Sequence, residues 1–125
     1  STIMPNTFLR QHPDIAEAYL KGEIEGIAFA VAAKNKPAVI KTLMRRLRVD
    51  AAAAEEGYSD MLRGVDRKPF ASMEGMRNLH RLLKPRNPKI SEVKVEDVVD
   101  NRIMRKLEES GFIDKVFAAH GASFK

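Results

Sequence analysis

The chain has no cysteine and no tryptophan. The first absence removes disulfides, thiolate metal sites and a thiol nucleophile, and it leaves the compartment open. Aromatics make up only 6% of the 125 residues, so a core has to be built from Leu, Ile, Val, Met and Ala. The longest apolar run, Gly26 to Ala33, falls well short of the ~20 residues needed to cross a bilayer. Ser1 to Asp14 has no basic segment leading into an apolar one, so it does not read as a signal peptide. No G-x-S-x-G, P-loop or dinucleotide glycine fingerprint occurs.

Catalysis and metal binding are equally without a signature. His12, His80 and His120 share no ligand spacing. Glu55/Glu56, Glu96/Asp97 and Glu108/Glu109 are sequence neighbours, whose side chains diverge on a helix and make no acid/base dyad. The expectation is therefore a non-enzyme with no catalytic residue, metal or cofactor.

Cations are abundant, and they cluster. The net charge is +5 and the isoelectric point about 9.6. Lys34, Lys36, Lys41, Arg45, Arg46 and Arg48 precede Asp50 without an acid among them, and Arg77, Arg81, Lys84, Arg86 and Lys89 form a second group. Acids gather at Glu92, Glu96, Asp97, Asp100, Glu108 and Glu109. Such clusters are either solvated helix faces or a surface for an anionic partner such as nucleic acid. They lack a reading motif or an aromatic platform, so sequence-specific nucleic-acid binding is not expected.

Helical periodicity runs through every long segment, and one all-α domain of five to six helices over residues 1–125 is expected. Ser1 to Met4 is mildly strand-favouring. Asn6 or Thr7 is placed to cap a turn over Phe8 to His12. Asp14 to Ala33 is the longest predicted helix, with Ile15, Tyr19, Leu20, Ile24, Ile27, Ala28 and Val31 as its buried face and Glu17, Lys21 and Glu25 on a wet one. Ala18, Gly22 and Gly26 form a small-residue stripe expected to pack closely on another helix or a sheet. Pro37 starts a helix whose apolar side is Ile40, Leu43, Met44 and Leu47. Asp50 caps a helix to about Arg63, with Ala54, Tyr58, Met61, Leu62 and Val65 lining its buried side. Gly64 to Ala71 is a loop. Ser72 caps a helix to about Lys84, burying Met76, Leu79 and Leu83.

Val93 to Val99 reads as a short helix. Asp100 caps the next one, Gly111 ends it, and one or two further turns over Asp114 to Ala119 lead into a frayed tail. In the loop, Arg67 and Phe70 are the only ligand-binding candidates, a cation beside an aromatic that suits an anionic or aromatic small molecule. The plainer reading is that Phe70 anchors the loop to the core.

Beyond this point the residues resemble a family. NTFLRQHPDIAEAYLKGEIEGIAFA is similar to a motif in which a strand ends, an "FL…(N/H)P" turn follows, and a long helix carries "EGI". A Pro-initiated helix ending near RLRVD comes next, then one centred on AEEGY, a P-x-x-S-x-E-G start at Pro69 to Gly75, and finally VEDVVDNRIMRKLEESGFID. The order resembles the C-terminal region of periplasmic substrate-binding proteins of ABC transporters, of the nitrate/sulfonate/taurine type. The thiamine-pyrimidine precursor synthases share that fold family. The resemblance runs from about Asn6 to Ile113, and its ending is the most specific part.

It implies a fragment of a two-lobed α/β protein, the periplasmic binding protein type II fold, which hands a small-molecule ligand to a membrane permease outside the cytoplasm. No position matches the synthases' catalytic residues. It also implies an apolar face with no partner in the chain, with Ile24, Ile27, Ile40, Leu43 and Leu47 as its expected members and a homodimer as the simplest way to hide it. A stand-alone basic helical module that binds nucleic acid or a protein partner is the alternative.

Overall fold

Prolines, capping side chains and one glycine set where the helices start and stop. In the computed structural model, which describes residues 2–122, helix α1 (Asn6–Gln11) begins directly after Pro5. Pro5 holds the N-cap position, so neither Asn6 nor Thr7 serves as a side-chain cap. Helix α2 (Pro13–Val31) has proline in its first turn, where the missing N–H costs nothing. A 3-10 turn, Ala33–Asn35, links it to α3 (Lys36–Leu47), again with proline in the first turn. The Asn35 amide donates to the Phe29 carbonyl at 3.0 Å and ties that turn back to α2.

The Asp50 carboxylate accepts from the Ala53 N–H at 2.9 Å and starts α4 (Ala51–Gly64). The Ser72 hydroxyl accepts from the Gly75 N–H at 3.0 Å and starts α5 (Met73–Leu83). Pro85 and Pro88 break the chain into a 3-10 turn, Pro88–Glu92, followed by α6 (Val95–Val98). Helices α7 (Arg102–Glu109) and α8 (Phe112–His120) end the described chain.

The fold is all-α, with eight α-helices and no strand among the described residues. The surplus over the expected five to six comes from the short α1 and α6, and from α8, which runs for 9 residues rather than one or two turns. Thr2 to Met4 has no regular structure. Ser1, and the last three residues on which the frayed tail was expected, lie outside the described residues.

Both ends of the chain supply the core. Ile24 and Ala28 of α2 meet Met104 and Leu107 of α7 and Ile113 and Phe117 of α8, all fully or nearly fully buried. Gly111 makes this possible. It sits at φ 73°, a left-handed conformation that glycine adopts without penalty, and it turns α8 back so that both short helices present their apolar sides to α2. Each large aliphatic side chain sealed there contributes roughly 1.5–3 kcal/mol.

Outside this cluster the chain is thinly packed. Helices α3 and α4 form a hairpin around Val39, Ala54 and Tyr58. Helix α5 buries no residue completely, and of the expected Met76, Leu79 and Leu83, Leu79 is largely exposed. The α5 unit holds together through the buried Val95, an Arg77–Glu96 pair at 3.2 Å, and the His80 Nε2–H, which donates to the Ile90 carbonyl at 2.7 Å.

The chain exposes 9238 Å², whereas a folded monomer of 14.0 kDa exposes about 6,700 Å². The excess, about 2,500 Å², is the size of surface that a substantial interface covers.

Candidate docking surfaces

The loop between α4 and α5 carries the two ligand-binding candidates, and both face the core. Phe70 packs against the α2–α7–α8 cluster. The Arg67 guanidinium lies 5.1 Å from the centroid of the Phe117 ring and donates to the Asp114 carboxylate at 2.6 Å. Its Nε is buried without an oxygen or nitrogen acceptor, and the aromatic face beneath it is an electron-rich substitute. Lys68 reaches Glu108 of α7.

A further link was not legible in the sequence. The Asn101 side chain accepts from the Ala71 N–H at 2.9 Å and donates to the Ala71 carbonyl at 3.0 Å, holding the loop to the start of α7 as a strand partner would. Asp100 works beside it. Its carboxylate accepts from the Arg102 N–H at 3.0 Å and pairs with the Arg102 guanidinium, which holds its pKa below the usual carboxylate range. Helix α7 thus starts one residue later than expected, with Asn101 at the cap position.

The histidines are each engaged separately. His12 lies tilted against Phe8 at 5.2 Å, His120 meets Phe29 edge-on at 6.0 Å, and His80 serves the Ile90 carbonyl. One member of each adjacent carboxylate pair is taken by a cation: Glu55 by Lys36, Glu96 by Arg77, Glu108 by Lys68. Among the described residues no three His, Asp or Glu come together in a group that could hold a metal ion. No described helix is long and apolar enough to cross a membrane.

Two surfaces remain. The first is the outer face of α2. At 100° per residue, Ile15, Ala18, Tyr19, Gly22, Gly26 and Phe29 fall on one side of this helix. All six are exposed, Ile15 to 50% and Tyr19 to 59%, and none is charged. This corrects two expectations. Ile15 and Tyr19 lie opposite Ile24 and Ala28 rather than beside them, and the small-residue stripe faces open space, with nothing within 4 Å of where a Cβ would stand on Gly22 or Gly26. The helix is apolar on both sides, so its periodicity could not say which side the core takes. The expected wet face is in fact half covered: Glu17 accepts from Lys106 of α7 at 2.5 Å and pairs with Lys21 at 2.8 Å. Those two cations, Lys106 first, hold its carboxyl down to about 2.

The second surface is the outer side of α3. Lys34, Lys41, Arg45, Arg46 and Arg48 make no ion pair among the described residues. Lys36 is the exception: it pairs with Glu55 at 2.7 Å, which raises its pKa, and lies 5.6 Å from the Tyr58 ring centroid. Beside the cations run Ile40, Met44 and Leu47, the last 64% exposed. Of the five residues expected on an orphaned apolar face, Ile24 is fully buried and Ile27 packs against the same core. Ile40 and Leu43 are half-buried, and Leu47 is open. Comparison of the chain with family models, with curated proteins and with solved structures finds no match.

Proposed function

We propose that this chain is the C-terminal helical portion of a two-lobed solute-binding protein of the nitrate/sulfonate/taurine type, which delivers a small anionic or aromatic molecule to an ABC-transporter permease. The observation that carries the reading is the outer face of α2. An amphipathic helix of a small domain needs one apolar side, and this one has a second, exposed and uncharged and lined in part with small residues. A sheet of a missing lobe, laid across Gly22 and Gly26, would cover it at close range. The excess exposed area has the same explanation. Transport selectivity would then reside in cleft residues outside this chain, with Arg67 and Phe70 acting as loop anchors.

The coding sequence upstream of Ser1 is the first test: two α/β lobes are expected, and a reading frame opening at Ser1 overturns the proposal. Light scattering and calorimetry on the isolated chain are the second. A homodimer that does not bind taurine or a simple sulfonate is expected, since an uncharged helix face can pair with its own copy. A strict monomer at high concentration with micromolar affinity for either compound refutes the reading.

A further inference from the structure

We infer that the outer side of α3 is a docking groove for an acidic amphipathic helix of a partner protein. The inference does not depend on the solute-binding reading. Pro37, Ile40, Met44 and Val49 form the floor of an open groove of about 820 Å³, with Lys41 and Arg45 on its rim. The Lys36–Glu55 pair closes one end. On the helix wheel, Pro37, Met44, Ile40 and Leu47 make a stripe, and Lys41 and Arg45 run along one edge of it. Arg48 follows at φ 56°, a left-handed position where glycine or asparagine would cost less.

Charge complementarity selects the occupant. Lys41 and Arg45 make no ion pair among the described residues, unlike Lys106, Arg67 and Lys68 around the core, and carboxylates along one flank of an apolar ridge would meet the rim while the ridge meets the floor. Apolar side chains at steps of three and four fit such a groove, and the 12 residues of α3 span ~18 Å, which calls for a partner helix of about three turns. A nucleic-acid backbone would satisfy the cations and leave the apolar floor empty. A second copy meeting groove to groove would set Lys41 and Arg45 against their own counterparts.

The test is fluorescence anisotropy with a labelled 14-residue helical peptide, leucines spaced by three and four and glutamates along one flank, against the same peptide with lysines in their place. The chain should bind the acidic peptide and not the basic one, more weakly as salt rises. Lys41→Glu with Arg45→Glu should weaken binding at least tenfold. Lys84→Glu with Lys115→Glu, an equal change of net charge at exposed positions elsewhere, should change it less than twofold. Circular dichroism checks that both variants remain helical. The proposal is overturned if both double variants lose affinity equally, if neither does, if neither peptide binds, or if a DNA duplex or phosphatidylserine vesicles bind in preference to the acidic peptide.

Discussion

The α2–α7–α8 cluster and the α3–α4 hairpin are built from the same residue types and treat them in opposite ways. In the cluster, cations cross from one element to another and meet acids: Lys106 reaches Glu17, Arg67 reaches Asp114 and Lys68 reaches Glu108. Its apolar side chains are sealed. In and beside the hairpin, five of six clustered cations make no ion pair among the described residues, and Met44 and Leu47 are exposed. Exposed ion pairs add little stability, typically below ~1 kcal/mol. The contrast therefore lies less in energy than in arrangement: one region turns its side chains to its own packing, and the other leaves them exposed.

Substitutions can break that contrast or sharpen it. The largest effect is expected at Phe117→Ala, which empties the centre of the cluster and removes the ring under Arg67. Urea denaturation should show a loss of about 3–5 kcal/mol. Asn101→Ala comes next, at about 1–3 kcal/mol, because it strands both Ala71 backbone groups in a partly buried place. Gly26→Leu separates the isolated chain from the proposed whole protein. Here the helix gains propensity in open space, so thermal stability should be unchanged or raised by up to ~1 kcal/mol. In a two-lobed protein the same change should overpack a sheet contact and cost about 1–3 kcal/mol. Leu47→Ser in the hairpin should stay within ~0.5 kcal/mol.

The smallest effect at neutral pH involves Glu17. Its folded-state pKa lies below the ordinary value of 4.5, at about 2, so its contribution is present above 4.5 and is lost as the pH falls toward 2. Acid titration of Glu17→Gln should lack that part of the decline. A matching decline in both proteins would show that the Lys106 contact contributes nothing.

Element starts were the most legible part of the fold, because their causes are local. Pro13, Pro37, Asp50 and Ser72 each act within four residues, and Gly111 turns the chain where it stands. Burial was less legible. Ile15 and Tyr19 obey helical spacing as well as Ile24 and Ala28 do, and only the arrival of α7 and α8 decides between the two sides. The loop was singled out for Arg67 beside Phe70, yet the ring Arg67 meets is Phe117 and its acid is Asp114, both far along the chain. Asn101 had no signal, since the backbone it holds lies 30 residues away. The unpaired state of the α3 cations was half visible: the sequence shows no acid among them before Asp50, and among the described residues the fold brings Glu55 to Lys36 and pairs none of the other five.

The meeting of α2 with α7 and α8 also has a kinetic consequence. About 70 residues separate the end of α2 from the start of α7, and closing a loop that long carries an entropic cost to be met before the core repays it. The α3–α4 hairpin needs only local closure and should form early, with the cluster sealing last. The same connectivity should make the chain tolerant of a nick. A protease cut in the exposed 84–87 segment would leave two pieces, one with α2 and one with α7 and α8, still interlocked through Ile24, Leu107 and Phe117. They should migrate as one species under native conditions and separate only in denaturant.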